Sequence, residues 1–498
     1  MPRWVRGLVA GAAAGLGAVG AMEIVAAVLG TDALPQLIQA PLLALLPGAV
    51  FGFLIDSLQH WGKVMEEAGI LVALVAVFAA AGVATAEIAA RLSWWRRGVG
   101  IGAAAALWLL VSFTVLPLVG AGPMGLGGGV LEVVTITVPL ALYGVVLQGL
   151  LAPPGRDSET VLDPGRRRVL GWGVAVLGAA VVAFTRIPAW AQSLGSGTTS
   201  GRGTVGPALT PAQDFYIVSK NFQDPVLEAA GWSIQIRGMV ANPTTLTLSN
   251  LRSMPATTIT LTQECISNLV GGGQISTGTF TGVPLRHLLD LARPQPGASM
   301  LGFTAADGYT ETLDLQTATT DTQILVAYDL DGRPLPDQHG YPARILIPAH
   351  YGMRSPKWLT RINVGTSEPD GYWEQQGWNP SARVKTMSRI DAPLNAAVLP
   401  PGPVTVGGIA FAANRGIQRV EWSSDNGRTW RPATLEPPLS RLTWVLWHAT
   451  WQARPGTYNL AARAMDGTGE WQTQVIAPSF PAGASGLHRI QVSIAAAQ

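Results

Sequence analysis

Long apolar stretches are concentrated in the first third of the chain. Five of them are of membrane-spanning length, nearly free of charge and rich in Gly and Ala: 5–29, 70–90, 98–119, 130–152 and 169–185. A helix needs roughly 20 apolar residues to cross a bilayer, and small residues permit close helix packing in lipid. The pattern therefore predicts an N-terminal all-α transmembrane bundle over residues 1–190, surrounded by membrane lipid. The number of stretches excludes a signal peptide alone.

A further apolar segment, 35–58, decides the predicted topology. Pro35, Pro41 and Pro47 interrupt it, so it either crosses the bilayer or dips in and returns. Arginines in short loops stay on the cytoplasmic side. Five crossings place the arginines at 3–6, 91–97 and 156–168 inside and only Lys63 outside. Six crossings would place the arginines at 91–97 and 156–168 outside. We therefore expect five crossings, a re-entrant or interfacial 35–58, and a C-terminal region on the extracytoplasmic side.

Composition narrows the classes of function. Hydrophobic residues make up 48% of the 498 residues and charged residues only 13%, about half the usual share. The formal charge of +2 gives no reason to expect nucleic acid. One cysteine excludes an intrachain disulfide and a Cys-rich metal site, and one histidine before His287 excludes a bis-histidine haem in the bundle. Arg167 and Arg168 fit a twin-arginine export sequence or an ordinary positive-inside anchor.

The composition changes after the bundle. Residues 191–212 are rich in Gly, Ser, Thr and Pro, which predicts a flexible linker. Over 213–385 short strands mix with few helices: 232–240 alternates apolar and polar positions, as a half-buried strand does, and 283–292 has the spacing of an amphipathic helix. This pattern predicts an α+β domain.

Residues 386–498 follow a different pattern. Strand-like segments recur at short intervals, at 404–411, 417–423, 429–435, 443–451, 456–465 and 471–476. Regular spacing with turn residues between strands predicts an all-β immunoglobulin-like sandwich. The segment 423–430 fits an Asp-box hairpin, with Asn426-Gly427 as a primed turn; because it occurs once, it implies no propeller.

Cys265 is the first candidate for chemistry. It follows a predicted strand and precedes a Gly-rich loop, where functional residues are common. A lone cysteine is usually a small buried apolar residue. Its thiolate is also a soft ligand for a transition metal, and one thiolate suffices when a cofactor supplies the other ligands.

A cationic group is the second candidate. His339 and Arg344 lie shortly before Arg354, Ser355 and Lys357 in an otherwise charge-poor chain. An arginine offers an anion a bidentate fork and a lysine offers a point charge, which suits a ligand bearing phosphate. A solvated basic face is the alternative, but the Pro, Gly and Trp residues among the cations favour a shaped loop.

These segments give the chain a resemblance to a known family. Residues 213–385 resemble the molybdopterin-binding domain of the sulfite oxidase family, and 386–498 resemble its immunoglobulin-like dimerisation domain. The resemblance covers about 280 residues in order. It is carried by the segments 215–221, 265–268, 280–285, 325–329, 334–336, 339–344 and 351–358.

The resemblance implies a site and a reaction. It implies a Mo-molybdopterin cofactor, a thiolate ligand to molybdenum from Cys265, and two-electron oxygen-atom transfer on a small substrate. Lys220 and Trp378 take the positions of the family's substrate-pocket arginine and tyrosine, and neither reproduces the side chain it replaces, so a sulfoxide competes with sulfite as substrate. The cofactor contacts map onto Asn221, Asn268, Asp307, His339, Arg344, Arg354, Ser355 and Lys357.

The resemblance also implies partners. Electrons pass singly to or from an external redox partner, such as a cytochrome or a quinone-linked protein, and the dimerisation-type domain implies a homodimer. Two other classes of function compete with this hypothesis: a cofactor-free binding module or accessory domain that retains the fold, and a membrane transporter or assembly factor.

Overall fold

The computed structural model describes residues 2–29, 31, 33–35, 37–38, 60–91, 98–118, 124, 130–151, 172–182, 203–221 and 224–496. By its internal contacts the chain divides into two compact units. The described part of the first unit comprises the N-terminal helices and Lys220–Asn221, and that of the second comprises 203–219 and 224–496.

The first unit is helical. Its helices are α1 (Arg3–Leu29), α2 (His60–Arg91), α3 (Val99–Leu110), α4 (Val130–Leu151) and α5 (Trp172–Val182), with a π-helical turn at Val111–Val115 and a short helix at Leu116–Leu118. Within the described residues four stretches are long and apolar enough to cross a membrane: Arg3–Leu29, Ala68–Arg91, Val99–Leu118 and Val130–Leu151. These confirm the first four predicted helices. Of the fifth predicted crossing the structure describes 172–182, which form the shorter helix α5. The five-crossing topology therefore stays a prediction, and 35–58 lies almost wholly outside the described residues.

Helices α1 and α4 pack against each other inside this unit. The Arg6 guanidinium donates to the Leu151 carbonyl at 3.0 Å, and the hydroxyls of Thr31 and Thr135 lie 2.7 Å apart. The first contact joins the start of α1 to the end of α4, and the second joins a residue just beyond the end of α1 to the first turns of α4. The two helices therefore run antiparallel.

Two sheets and three helices form the first part of the second unit. The strands are β1 (Ser233–Gly238), β2 (Thr244–Thr247), β3 (Thr257–Glu264), β4 (Ile275–Pro284), β5 (Met300–Ala305), β6 (Thr310–Asp314), β7 (Leu325–Leu330), β8 (Arg333–Pro334), β9 (Arg344–Leu346) and β10 (Leu359–Gly365). One sheet has the order β2-β1-β10-β5-β6 and the other β3-β4-β7-β8, with β9 paired to β7. The helices are α6 (Leu248–Ser253), α7 (Leu285–Ala292) and α8 (Leu315–Thr320).

One apolar core joins these sheets to α7. Ile234 and Ile236 come from the inner face of β1, Leu288 and Leu289 from α7, and Val326 from β7, and all five are buried. The predicted alternation at 232–240 is confirmed by β1, and the amphipathic helix predicted at 283–292 begins two residues later, at Leu285. The α+β prediction is therefore correct.

A four-residue helix, α9 (Tyr372–Gln375), leads towards the C-terminal part, which is a two-sheet sandwich. The strands are β11 (Met387–Ala392), β12 (Val398–Leu399), β13 (Gly402–Phe411), β14 (Ile417–Ser423), β15 (Arg431–Pro432), β16 (Thr434–Leu435), β17 (Val445–Ala453), β18 (Gly456–Asp466) and β19 (Arg489–Ile494). The two sheets have the orders β11-β13-β17-β16 and β12-β19-β18-β14-β15. Residues of both sheets share one core, including Trp422 and Trp447. The β-sandwich is confirmed, while its immunoglobulin-like character stays a prediction.

The strand predicted at 471–476 is wrong. Trp471 makes only an isolated bridge with Met465, and the segment then leaves the sheet. The buried Gln472 side chain takes the place of a ladder acceptor: its Oε1 accepts from the Ala464 amide of β18 at 3.2 Å, and its Nε2 donates to the Gly486 carbonyl at 2.8 Å.

The hairpin predicted at 423–430 is confirmed. Asn426 and Gly427 have φ of 63° and 85°, as a primed turn requires. Asp425 accepts from the amide and the hydroxyl of Thr429 at 2.9 and 2.6 Å. These bonds hold the pKa of Asp425 well below its ordinary value.

The end of the predicted linker belongs to the second unit. The Ala208 carbonyl accepts from the Trp444 indole at 3.0 Å, and the Thr210 amide donates to the Thr277 carbonyl at 2.8 Å. Ala208 and Thr210 are thus fixed to the rest of this unit, whereas 191–202 lie outside the described residues.

Candidate active site

Cys265 is the first residue after β3 and is buried. Its amide donates to the Gln274 carbonyl at 2.9 Å, and its Sγ lies 3.0 Å from the Ser267 hydroxyl. Burial raises the pKa of the thiol, and the Ser267 hydrogen bond opposes this shift. The thiol is therefore sheltered from bulk water but lies among polar groups.

Asn268 shapes the loop that follows. Its side-chain amide donates to Glu264 Oε1 at 3.0 Å, and its Oδ1 accepts from the Gln274 amide at 3.0 Å. Burial raises the pKa of Glu264 to about 7, against the opposing effects of Asn268 and Arg389. No motif in the sequence assigns Glu264 a role, and its position beside Cys265 is the signal that points to one.

Arg344 begins β9 on the same sheet. Its guanidinium donates to the His339 carbonyl at 3.1 Å and to the Ser355 carbonyl at 3.0 Å. The Ser355 hydroxyl accepts from the Ile347 amide at 3.0 Å. Arg344 thereby joins the two cationic segments that the sequence separates.

His339 and Lys357 complete this group. Burial, followed by the charges of Arg344 and Lys357, lowers the pKa of His339 to about 4, which keeps the imidazole neutral near pH 7. Lys357 donates to the Gln338 carbonyl at 2.9 Å, and its ammonium lies 4.2 Å from the centroid of the Trp358 ring. The structure thus brings together His339, Arg344, Ser355 and Lys357.

The charge of Arg344 has no carboxylate partner among the described residues. It is 6% exposed, and its Nε is buried without a hydrogen-bond acceptor. Burial lowers the pKa of Arg344 to about 10. Because buried charges are normally paired, this guanidinium fits a bound anion such as the phosphate of a pterin cofactor.

Tyr216 lies beside Gly352, in the second cationic segment. A Cβ at Gly352 would lie only 2.6 Å from the Tyr216 oxygen and 3.5 Å from the Glu264 carbonyl, so the glycine makes room for the hydroxyl. Burial raises the pKa of this hydroxyl; the charge of Cys265 raises it further and that of Arg344 lowers it. In the sequence Tyr216 belongs to the segment 215–221, and nothing in the pattern there indicates its role.

Arg354 is engaged elsewhere. Its Nη1 lies 2.9 Å from Glu311 and 2.5 Å from Glu374, and its Nη2 donates to the Thr312 carbonyl at 2.8 Å. With two carboxylates around one guanidinium, these contacts give Arg354 a structural role, and its contact with the cofactor stays a prediction. Burial, reinforced by the nearby Glu374 charge, raises the pKa of Glu311 to about 8 despite Arg354.

Glu311→Gln is expected to flatten the dependence of stability on pH. The folded chain holds the Glu311 proton up to about pH 8, whereas the ordinary pKa is 4.5, so the stability of the wild type falls as the pH rises through this window. The melting temperature of E311Q minus that of the wild type should therefore increase from pH 5 to pH 8. The matched control is E436Q, whose carboxylate is half exposed; an equal change in that variant would contradict the assignment.

The remaining predicted residues lie in three places. Trp378 is buried, with its ring 5.3 Å from Phe480 and its Nε1 without an acceptor in the described part of the chain. Asp307 lies in the turn between β5 and β6 and accepts from the Tyr309 amide at 3.0 Å. Lys220 donates to Asn221 at 2.9 Å. Lys220 and Asn221 belong to the short segment assigned to the first unit, so the place of these two residues at the site stays a prediction.

Two family models match the second unit. The "Oxidoreductase molybdopterin binding domain" matches residues 221–373. The "Mo-co oxidoreductase dimerisation domain" matches residues 382–489. Together they cover just over half of the chain and include every candidate site residue except Lys220 and Trp378.

Known proteins show the same relationship. Chicken (Gallus gallus) sulfite oxidase is 29% identical over 318 residues, covering 54% of this chain and 69% of that protein. Human mitochondrial sulfite oxidase is 29% identical over 280 residues, 47% of this chain and about half (51%) of its own length. A putative protein-methionine-sulfoxide reductase subunit, YedZ1 of Azospira oryzae, is 31% identical over 154 residues, 31% of this chain and 56% of that protein.

A solved structure shares the fold. The sulfane dehydrogenase SoxCD of Paracoccus pantotrophus superposes with a TM-score of 0.52 at 22% identity, covering 59% of this chain and 86% of that one. The two family models and the sulfite oxidase relatives indicate a molybdopterin cofactor. The chain therefore belongs to the sulfite oxidase family and is a molybdopterin-dependent oxidoreductase.

Proposed function

We propose that this protein is a membrane-tethered, extracytoplasmic molybdenum oxidoreductase that transfers an oxygen atom to or from a small sulfur compound. One observation carries the proposal: Arg344 is a buried guanidinium without a carboxylate partner in the described part of the chain, and it lies on the same sheet as the strand that leads into the buried thiol of Cys265. A cofactor with both a phosphate and a metal would satisfy both groups at once.

The chain's own residues bind and orient the cofactor. Cys265 holds the metal through its thiolate, and Arg344 and Lys357 attract the phosphate. Neutral His339 and the Ser355 backbone, both hydrogen-bonded to neighbouring groups, shape the binding loop around it. Asn221 and Asp307 are further proposed contacts, and Asn268 acts through the loop that carries Cys265. The bound cofactor supplies the two-electron change and the exchange of the oxygen atom.

Both candidate reactions, oxidation of sulfite and reduction of a sulfoxide, balance in atoms and electrons. Oxidation of sulfite takes its oxygen from water and releases two electrons and two protons. Reduction of a sulfoxide consumes two electrons and two protons and gives a thioether and water. In both reactions an external redox partner, a cytochrome or a quinone-linked protein, accepts or supplies the electrons.

The residues at the predicted substrate pocket favour the sulfoxide. Trp378 lies in an apolar cluster with Ile266 and Phe480, which suits a neutral thioether or sulfoxide better than the sulfite dianion. Lys220 offers a single point charge in place of a bidentate fork. Sulfite therefore remains the second candidate substrate.

The rest of the chain has a proposed role too. The apolar helices tether the catalytic region to the membrane, with that region on the extracytoplasmic side. The C-terminal sandwich, of the immunoglobulin-like type, joins two copies into a homodimer. A dimerisation-domain match and four candidate spans support this arrangement.

Metal and pterin analysis of the purified full-length chain tests the proposal. We expect about one molybdenum and one molybdopterin per chain, and turnover of a methyl sulfoxide with a reduced dye at a higher kcat/KM than sulfite oxidation with an oxidised dye. Absence of molybdenum after expression in a host that makes the cofactor would contradict the proposal and favour a cofactor-free binding module. Faster sulfite oxidation would contradict only the choice of substrate.

A further inference from the structure

The loop that carries Cys265 is closed at its base by its own residues. This Cys265 loop, 265–274, joins β3 to β4. Backbone and side-chain bonds from Cys265, Ser267 and Asn268 to Gln274 draw its two ends together. None of these bonds involves its outer part, Gly271–Gly272.

The C-terminal sandwich holds that outer part. Arg389, on β11, donates from Nη1 to the Gly272 carbonyl at 2.9 Å. The His488 ring lies directly against Gly271, where a Cβ would meet the ring at 2.4 Å; Gly271 also has φ of 80°, which disfavours other residues. His488 in turn accepts from the Ile390 amide at 2.9 Å.

Arg389 is itself fixed in place. Asp391 lies two positions along β11 and accepts from Nε at 2.5 Å and from Nη2 at 3.3 Å. This paired contact leaves Nη1 for Gly272, since a guanidinium presents its donors in a rigid fork. Burial, followed by the Arg389 charge, lowers the pKa of His488 to about 4, and the same charge opposes the rise that burial causes in the pKa of Glu264.

We propose that Arg389 is a positioning residue for Cys265: clamped by Asp391, it fixes the Cys265 loop through the Gly272 carbonyl. The proposal rests on the proposed function in so far as Cys265 is the metal ligand. It gives the C-terminal domain a part in the active site in addition to dimerisation.

The single cysteine makes the test direct. In the cofactor-free full-length chain, the rate of alkylation by iodoacetamide reports how often the loop opens and exposes Cys265. We expect R389A to raise this rate about tenfold or more, because a charge-assisted hydrogen bond to the loop is lost. R389K keeps one donor without the fork and should restore part of the protection, and D391N should raise the rate by loosening the clamp.

R463A is the matched control. Arg463 also lies in the sandwich, is similarly exposed, and pairs with Glu421 at 2.5 Å, so R463A should label at the wild-type rate. Wild-type labelling of both R389A and D391N, or an equal increase in R463A, would overturn the proposal. If R389A does not fold, the alkylation rate of D391N is compared with that of R463A, and equal rates in these two variants would overturn the proposal.

A second readout uses the cofactor-loaded chain. A displaced loop changes the geometry at sulfur, so R389A should shift the sulfur-to-molybdenum absorption band and lower the metal content, and R389K should partly restore both. An unchanged band in R389A would count against the proposal. Wild-type protein without molybdenum would contradict the proposed function alone, because the alkylation result does not depend on metal.

Discussion

Replacing Cys265 by serine is expected to remove molybdenum from the purified chain and to lower turnover by more than about a hundredfold. Loss of groups that merely support a metal ligand costs 10–100-fold, and Cys265 is the proposed ligand itself. Serine keeps the size of the side chain and the hydrogen bond to Ser267, so the fold should survive. Metal content per chain and kcat measured on the same preparation check this result.

The control for this substitution lies two residues away. S267A removes the hydroxyl beside the thiol and leaves the sulfur, so it should retain molybdenum with a smaller loss of activity. Melting temperatures of both variants separate misfolding from loss of the ligand. If C265S binds molybdenum stoichiometrically, Cys265 does not hold the metal.

The elements of the second unit could be predicted where the periodicity was local. Strand β1 and helix α7 follow directly from alternating and helical spacing, and the Asn426-Gly427 turn follows from residues that tolerate positive φ. The strand predicted at 471–476 was wrong because the buried side chain of Gln472 accepts the hydrogen bond from the Ala464 amide that a backbone carbonyl would accept in a strand ladder. No propensity encodes such a contact across the domain.

The site could be predicted only in part, for a similar reason. Cys265 and Arg344 stood out by residue type, but both Arg344 and Arg354 appear as cations in the sequence. Only the fold shows that Arg354 is paired with Glu311 and Glu374, whereas Arg344 has no carboxylate partner in the described part of the chain. The carboxylates lie on β6 and α9, and pairings over such distances along the chain leave no local pattern.

His488 and Arg389 show the same limit more strongly. Each lies more than a hundred residues from the Cys265 loop along the chain, in a domain whose own pattern indicates a separate sandwich. Their contacts with Gly271 and Gly272 depend on how that sandwich packs against the α+β part. The Gly-rich composition of the loop was visible in the sequence, but the residue that requires a glycine there was not.

Replacing Arg344 by alanine is expected to abolish retention of the cofactor and to destabilise the second unit. Two buried carbonyls, those of His339 and Ser355, lose their donor, at about 1–3 kcal/mol each. The positive charge proposed to attract the phosphate disappears with them. Pterin content after gel filtration and the melting temperature measure the two effects separately.

Arg344→Lys distinguishes binding from folding. Lysine keeps the charge and one donor, so R344K should recover much of the melting temperature yet still lose most of the cofactor, because an ammonium cannot serve two carbonyls and a phosphate in the geometry of a guanidinium. The matched control is R252A, which removes a more exposed arginine paired with Asp329 in the same domain and should keep the cofactor. If R344A retained a full complement of pterin, Arg344 would not bind the phosphate of the cofactor. The proposed function would then lose its main support.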